Sequence, residues 1–350
     1  MTLPDKPTAV GVVGCGEIAQ IMHLPNLREL DDRFQLLSVC DNDPEVLKSV
    51  AHRFGVENAH TDARYVLEDR AVEAVVIATS GDHAGLVEQA LDAGKHVFVE
   101  KPLCYSVADA RRIAEHARAA GLTVMVGYSR IFDTAFDEFH RLANEQPPGR
   151  LITSTAVLPD DYFYRAHHSV THCTSPAADN TAAAEPTWPY LFEEVLHNLA
   201  THELYCLRHV FRSGFHLKSA TPLLGRRGVH ALWESEDGDT ASMTLAVMTG
   251  LSGGYREEFH VSTPMSQTTL TYPSVYLKNT PATVHHSFSE GSHGPLRSQV
   301  YEGSYEDPFK RELEHFADVL AAKRVSRCSA EDAIHDIQMI AEIYDRARNA

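Results

Sequence analysis

The sequence has no excess of positive charge, no paired-cysteine motif and no long apolar run. Its 350 residues carry a formal charge of −17 without a basic run, which argues against nucleic acid or an anionic membrane as a partner. The six cysteines are scattered with no CxxC pair, so we expect reduced, mostly buried thiols rather than a disulfide framework. No segment approaches the ~18 apolar residues of a membrane helix. The N-terminus also lacks the charged leader and apolar stretch of a signal peptide. These absences favour a globular protein of the cytoplasm.

Residues 8–127 alternate short apolar runs with amphipathic stretches, a pattern typical of βαβ units. It predicts an α/β Rossmann domain, with a doubly wound parallel sheet covered by helices. The predicted strands are 8–14, 34–41, 71–79, 96–102 and 123–128. The predicted helices are 17–30, 44–55, 83–94 and 106–121. Ser106 and Asp109 have the spacing of a helix N-cap with an acidic residue three positions later.

The pattern changes after about residue 128. Several apolar runs follow with few helices between them, which predicts an α+β domain with a largely antiparallel sheet. The predicted strands are 150–158, 229–235, 240–248 and 258–264; the predicted helices are 190–211, 307–323 and 329–347. A long loop is predicted over 159–189. We therefore expect two domains, 1–127 and 128–350, with the C-terminal helices packing back on the first.

A glycine-rich turn joins the first strand to the first helix. Its pattern, Gly14-x-Gly16-x-x-Ala19, is that of a dinucleotide-binding fingerprint. Gly14 permits a tight turn, Gly16 lets the backbone approach a pyrophosphate, and Ala19 keeps the helix close to the sheet. The helix start, with Glu17 and Ile18, offers N–H groups to the phosphates.

Further cofactor contacts are expected where later strands end, because ligands of such folds bind at that edge of the sheet. Asp41 ends the second strand, where an acid binds ribose hydroxyls; a helix N-cap beside Pro44 is the alternative. Residues 41–43 include no Arg or Lys for a 2′-phosphate, so we expect NAD rather than NADP. Thr79 and His83 follow the next strand and are expected near the cofactor, although His83 is also a possible helix start.

The stretch VFVEKPL at 97–103 brings Glu100 and Lys101 to the end of another predicted strand. This position would place a cationic side chain at the floor of the cofactor pocket, with Glu100 beside it. A structural salt bridge is the alternative interpretation of Lys101. Pro102 fixes the local backbone and suits a cis peptide bond.

These motifs resemble those of the glucose–fructose oxidoreductase, inositol dehydrogenase and rhizopine-catabolism (Gfo/Idh/MocA) family. The matching stretches occur in the family's order: GVVGCGEIAQIMHLPNL, SVCDNDPE, ALDAGKHVFVEKPL, MVGYSRIFDTAF and DPFKRELEHFADVLAA. The resemblance implies an N-terminal Rossmann domain and a C-terminal open-faced β-sheet that often mediates oligomerisation, here to a homodimer or homotetramer. It also implies NAD(P)-dependent oxidation or reduction of a sugar, cyclitol or related polyol.

The resemblance further implies catalytic roles. Lys101 matches the family's EKP lysine, and the family's Asp-x-x-x-His helix matches Asn198 through His202. His202 is therefore the expected proton acceptor, and Lys101 is expected to stabilise the reacting oxygen while hydride passes to the nicotinamide. Asn198 replaces the usual aspartate and can bind the substrate but cannot take a proton. Tyr205 stands where another acid often follows.

Three more residues are candidates on the substrate side. Glu194 precedes Asn198 by four positions and is expected on the same helix face, partly replacing the missing aspartate. A solvated helix face is the alternative. Tyr128 and Arg130 resemble the family's substrate-side segment, with a surface salt bridge as the alternative for Arg130.

Competing interpretations concern metal binding and the type of activity. The clustered His167, His168, His172 and Cys173, and the pair Glu193 and His197, do not show a firm ligand spacing, so no metal is expected. A redox-assisted hydrolase or lyase that regenerates its bound NAD is the second functional class. A non-catalytic sensor of NAD or sugar is the third.

Overall fold

The computed structural model describes residues 6–159, 167–172, 186–212, 214–248, 254–291 and 294–349. The chain divides into two compact units. Unit 1 comprises residues 1–128, 168–180 and 309–337, and unit 2 comprises 129–167, 181–308 and 338–350. Within the described ranges, no helix combines the length and the apolarity that a membrane span requires.

Unit 1 contains a parallel sheet, as the sequence predicts, with six strands where the sequence predicts five. Its strands are β1 (Thr8–Val13), β2 (Phe34–Cys40), β3 (Asn58–His60), β4 (Ala74–Ile77), β5 (His96–Glu100) and β6 (Val124–Gly127). The order β3-β2-β1-β4-β5-β6 reverses direction at β1 and β4, which is the switch point where such sheets bind ligands. β1, β4 and β5 are apolar and almost wholly buried, which explains why their runs are continuous rather than alternating. β3 was not predicted because it has only three residues, one exposed and two half-buried, and so few residues show no periodic pattern.

Several helices cover the sheet of unit 1. They are a π-helical segment Ala19–His23 leading into α1 (Leu24–Glu29), then α2 (Pro44–Phe54), α3 (Arg64–Leu67), α4 (Ala84–Asp92) and α5 (Val107–Ala120). Two of them, α2 and α5, begin at a capping side chain and end at a glycine. The hydroxyl of Ser106 accepts the Asp109 N–H at 3.1 Å, which confirms the predicted cap. Gly121 ends α5 with a φ of 67°, a left-handed conformation that favours glycine.

Unit 2 contains an eight-stranded sheet in the order β14-β13-β12-β11-β7-β10-β9-β8. Its strands are β7 (Leu151–Pro159), β8 (Phe215–Leu223), β9 (Gly228–Ser235), β10 (Thr240–Met248), β11 (Arg256–Ser262), β12 (Ser266–Tyr272), β13 (Thr283–Ser289) and β14 (Leu296–Glu302). β7 and β10 pair in parallel and the other described pairs are antiparallel. The largely antiparallel second sheet is thus confirmed.

The sequence did not predict β8, β12, β13, β14 or the helix α6 (Thr134–Glu145). β12 shows the reason, because its buried face includes Ser266 and Thr268 as well as Leu270 and Tyr272. Polar residues on the inward side erase the apolar–polar alternation that marks a strand. β14 was not predicted for the opposite reason, because it is an edge strand on which an apolar residue is exposed: Leu296 is 74% exposed.

One continuous helical stretch follows the long segment predicted as a loop, and two helices end the chain. A single turn at Trp188–Tyr190 leads into a π-helical segment, Leu191–Ala200, and then α7 (Thr201–Val210). The last two helices are α8 (Pro308–Leu320) and α9 (Ala330–Arg348). Of the predicted loop 159–189, residues 160–166 and 173–185 lie outside the described residues.

Candidate active site

The glycine-rich turn of unit 1 is built for close backbone contact. Gly14 has a φ of 93°, and a Cβ there would lie 2.6 Å from the backbone of Ala78 and Thr79. Any side chain at Gly14 would therefore push β1 away from the end of β4. At Gly16, by contrast, a Cβ would meet nothing within 4 Å among the described atoms. This open space beside backbone N–H groups at a helix start fits a pyrophosphate.

Asp41 lies directly beside this turn. One of its carboxylate oxygens accepts the Cys15 N–H at 2.8 Å and the other accepts the Asp43 N–H at 2.9 Å. The N-cap of α2 is Asp43, whose side chain accepts from Glu45 and Val46. The alternative interpretation of Asp41 as that cap is therefore wrong, and its half-buried carboxylate stands at the dinucleotide-binding turn.

His83 has a structural position at the start of α4. Its ring is buried, with Nδ1 2.6 Å from the carbonyl oxygen of Pro102 and Nε2 2.8 Å from that of Thr79. Both ring nitrogens thus face backbone carbonyls, which fits the alternative of a helix-start residue and argues against the expected contact of the imidazole with the cofactor. Thr79 itself is half-buried at the end of β4, in the predicted place.

Lys101 follows the last residue of β5 and is half-buried. Its peptide bond to Pro102 is cis. The side chain of Glu100 is buried, and its Oε1 lies 2.7 Å from Nε2 of His23 in the helical segment after the glycine turn. The Glu100 side chain therefore serves His23, which argues against its predicted contact with the cofactor. No motif in the sequence indicated the partnership with His23.

One group of three metal-ligand-type side chains occurs among the described residues: His23, Glu100 and Glu312, with ligand atoms within 4.8 Å of one another. The His23–Glu100 hydrogen bond already joins two of them directly. This group is not one that the sequence suggested. Among the metal-ligand candidates considered from the sequence, Cys173 lies outside the described residues. Nδ1 of another candidate, the buried His197, is 2.8 Å from the carbonyl oxygen of Phe192.

In unit 2 the helix with the proposed base has an unexpected geometry. Leu191–Ala200 is π-helical, and the α-helical pattern begins only at Thr201, one residue before His202. π-Helical segments are rare in proteins, and those that occur are often found at functional sites. Asn198 nevertheless donates to Glu194 at 3.2 Å, so the amide and the carboxylate engage each other as the sequence suggested. Both are exposed, and His202 is half-buried.

Arg130 corrects another expectation, because its guanidinium is buried inside unit 2. It donates to the Tyr255 hydroxyl at 2.6 Å and to the Glu257 carboxylate, and it lies over the Tyr272 ring at 4.7 Å. Glu257 therefore compensates its charge. The alternative of a surface salt bridge is wrong because the ion pair is buried, and this burial argues against the predicted substrate contact. Tyr128, at the end of unit 1, is only 2% exposed and is likewise not on the surface.

The buried network around Arg130 includes Glu203, the neighbour of His202 in α7. The Ser154 hydroxyl donates to its carboxyl group. Burial and the negative charge of Glu257 raise the pKa of Glu203 to about 8, against the smaller lowering effects of Ser154 and Arg130. No local sequence pattern indicated this network, because Ser154, Glu203 and Glu257 come from β7, α7 and β11, which are far apart in the chain.

Glu203 makes the stability of the protein depend on pH. Because its folded pKa lies above its ordinary value, its contribution is fully present below about pH 4.5 and is lost as the pH rises through about 8. The Glu203→Gln variant does not lose stability in this way, because a glutamine side chain does not ionise. Its free energy of unfolding relative to wild type should therefore rise between pH 5 and pH 9, by up to about 4 kcal/mol.

Urea unfolding of both proteins at several pH values measures this difference. Glu258→Gln is the matched control, because Glu258 is on the same strand as Glu257 but its side chain is 28% exposed and pairs with Arg256. Parallel stability profiles for wild type and Glu203→Gln would show that Glu203 is ionised in the folded protein.

Part of unit 1 matches a known protein family. Residues 8–128 match the family model described as oxidoreductase family, NAD-binding Rossmann fold. The chain is 37% identical over 160 residues to myo-inositol 2-dehydrogenase of Thermotoga maritima, covering 44% of this chain and 47% of that enzyme. It is 32% identical over 131 residues to the NAD⁺-dependent scyllo-inositol 2-dehydrogenase of Bacillus subtilis, covering 37% and 38%. The chain thus spans about half the length, or less, of these relatives.

Solved structures resemble the chain over almost its whole length. A 3-ketoreductase from Actinomadura kijaniata with NADP and TDP-benzene has a TM-score of 0.77 at 20% identity, covering 97% of this chain and 98% of that one. An oxidoreductase from Agrobacterium radiobacter with NAD⁺, L-tartaric acid and magnesium has a TM-score of 0.72 at 18% identity, covering 98% and 96%. At these identities the likeness concerns the fold.

Proposed function

We propose that this chain, whose residues 8–128 match the Gfo/Idh/MocA family model, is a member of that family and a nicotinamide-dependent dehydrogenase or reductase. Its substrate would be a secondary alcohol, or the corresponding ketone, of a sugar, sugar derivative or inositol. The observation that carries this proposal is the position of Lys101 at the end of β5, in the same sheet as the glycine turn at the end of β1. The inositol dehydrogenases among its relatives support the substrate class.

We infer that the cofactor is NAD, held by the turn at Gly14 and Gly16, the helix start at Glu17 and Ile18, Asp41, Thr79 and the backbone at Glu100. Asp41 is the reason for preferring NAD to NADP. Its carboxylate would repel the 2′-phosphate of NADP, and residues 41–43 include no Arg or Lys to bind that phosphate. When bound, NAD supplies the two-electron acceptor of the oxidation.

The roles of the chain's own side chains follow from their chemistry. His202 accepts the proton of the substrate hydroxyl, since an imidazole titrates near neutral pH. Lys101 donates a hydrogen bond to the same oxygen and offsets the negative charge that develops there. Asn198 binds substrate hydroxyls, with its amide oriented by Glu194 at 3.2 Å. Arg130 has no part in substrate binding, because its guanidinium donates its hydrogen bonds to Glu257 and Tyr255.

The remaining proposals concern organisation. Residues 1–127 would form the NAD-binding domain and 128–350 the substrate-binding and oligomerisation domain of a homodimer or homotetramer. The five cysteines within the described residues are buried and free, which supports a reducing compartment, the cytoplasm.

Absorbance at 340 nm tests the function. We expect NADH to form with NAD and at least one member of a panel of inositols, free sugars, sugar phosphates and nucleotide sugars, and to form more slowly with NADP. Product release from glycosides without net NADH would support the redox-neutral hydrolase or lyase instead. Tight NAD binding with no turnover on any substrate would contradict an enzymatic role and indicate a sensor.

A further inference from the structure

The carboxylate of Glu100 connects His23 to the backbone of Lys101. Oε1 of Glu100 lies 2.7 Å from Nε2 of His23, and Oε2 accepts the Lys101 N–H at 3.2 Å. His23 belongs to the helical segment that follows the glycine turn, whereas Glu100 and Lys101 end β5. One side chain therefore links the dinucleotide-binding helix to the residue proposed to act on the substrate.

This link is enclosed on all sides that the structure describes. His23 is 0% exposed, and its ring meets the rings of Phe98 and Phe309 edge to face at 5.5 and 5.7 Å. Beside Glu100 lies Gly127, where a Cβ would come within 3.4 Å of Glu100 Oε1. A buried carboxylate that left its donors would lose hydrogen bonds that water cannot replace. The carboxylate is thus held in one orientation.

The charge of Glu100 strengthens both contacts. Burial acts to raise the pKa of this carboxyl group, but the hydrogen bond and charge of His23, with the charges of Lys101 and His83, hold it below its ordinary value. Glu100 is therefore an ionised acceptor, and hydrogen bonds to ionised acceptors are the stronger ones.

A second buried histidine contacts the backbone of the next residue, Pro102. Nδ1 of His83 lies 2.6 Å from the carbonyl oxygen of Pro102, and its Nε2 lies 2.8 Å from that of Thr79. The N–H of Lys101 and the C=O of Pro102 are thus both tied to buried side chains. The backbone that carries the Lys101 side chain is held from two directions.

We propose that Glu100 and His23 are positioning residues, which hold the backbone of Lys101 so that its ammonium group reaches the reacting oxygen. His83 supports them by contacting the carbonyl group of Pro102. This proposal rests on the role of Lys101 in the proposed function. Neither Glu100 nor His23 needs to touch the substrate. Their effect should appear in turnover rather than in nucleotide affinity.

The test compares Glu100→Gln and His23→Gln with wild type in three measurements. We expect kcat to fall on the order of 10- to 100-fold, the cost of misplacing a catalytic group by about 1 Å. The Kd for NAD, measured by fluorescence, and the KM for the substrate should stay close to wild type. His96→Gln is the control, because His96 begins the same strand and accepts the Thr123 N–H at 3.0 Å; its kcat should be unchanged.

Hydrogen exchange of the Lys101 amide in the wild-type protein gives a second readout that needs no variant to fold. We expect slow exchange with and without NAD, because this N–H is donated to a buried carboxylate. Exchange at the rate of an unprotected amide would overturn the proposal.

Lys101→Ala separates the two levels of inference. Full kcat in Glu100→Gln and His23→Gln with an inactive Lys101→Ala would overturn the positioning role and leave the proposed function intact. An active Lys101→Ala would overturn the role of Lys101 and the positioning proposal with it.

Discussion

Replacing His202 with alanine is expected to lower kcat/KM by about 10³-fold and to leave NAD binding unchanged. His202 is the second residue of α7 in unit 2, whereas the glycine turn and Asp41 are in unit 1. Its loss removes the proton acceptor but none of the proposed cofactor contacts. Initial rates at 340 nm from pH 6 to pH 10, with a separate NAD titration, measure both quantities. Part of the lost rate should return as the pH rises, because hydroxide then replaces the missing base.

His209→Gln is the control for this variant. His209 lies on the same helix and its Nδ1 is 2.8 Å from the carbonyl oxygen of Tyr205, so the substitution perturbs α7 without touching the proposed base. We expect His209→Gln to keep its activity. An active His202→Ala would mean that the family's histidine has been matched to the wrong position of the 191–210 stretch, and that another group takes the proton.

The Lys101→Met variant is expected to lose about 10²- to 10³-fold in kcat, the size of effect seen when one donor to a developing oxyanion is removed. Methionine fills a similar volume without charge, so the fold of the strand end should persist. A thermal unfolding curve close to wild type, together with normal NAD affinity, would confirm that the loss is chemical. Lys101→Arg should recover little, because a planar guanidinium cannot present its donors like an ammonium group.

Lys48→Met provides the matched comparison, since Lys48 is exposed on α2 in the same unit. It removes the same charge and should be silent. Normal kcat in Lys101→Met would show that Lys101 has only a structural role, which is the alternative interpretation of its place in VFVEKPL.

Unit 1 could be predicted from the sequence because its signals are local. A buried parallel strand is a continuous apolar run, a glycine at positive φ marks a turn, and a hydroxyl before a helix marks its start. Gly14, Ser106 and the end of β5 are all of this kind. The predicted strands accordingly coincide with β1, β2, β4, β5 and β6 to within a few residues.

Unit 2 was harder because its signals come from residues far apart in the chain. Arg130 looked like a surface or substrate residue, since nothing near position 130 shows that Glu257 and Tyr255 surround it. The buried Thr268 made β12 look polar, although its hydroxyl pairs with His286 at 2.9 Å on the next strand. Compensation of this kind depends on strand pairing, which the local sequence does not encode.

The class of the first domain could be predicted from sequence alone: a Rossmann sheet with its glycine turn, the acid at the end of β2, and the lysine at the end of β5. These follow from backbone conformation and hydrophobic period, which neighbouring residues specify. The pairing of buried polar groups became visible in the folded chain. Folding brought His23 to Glu100 across 77 positions and enclosed Glu203 beside Glu257. Burial removes water as a competing partner, so protonation states and hydrogen bonds are determined by neighbours that the folded chain alone provides.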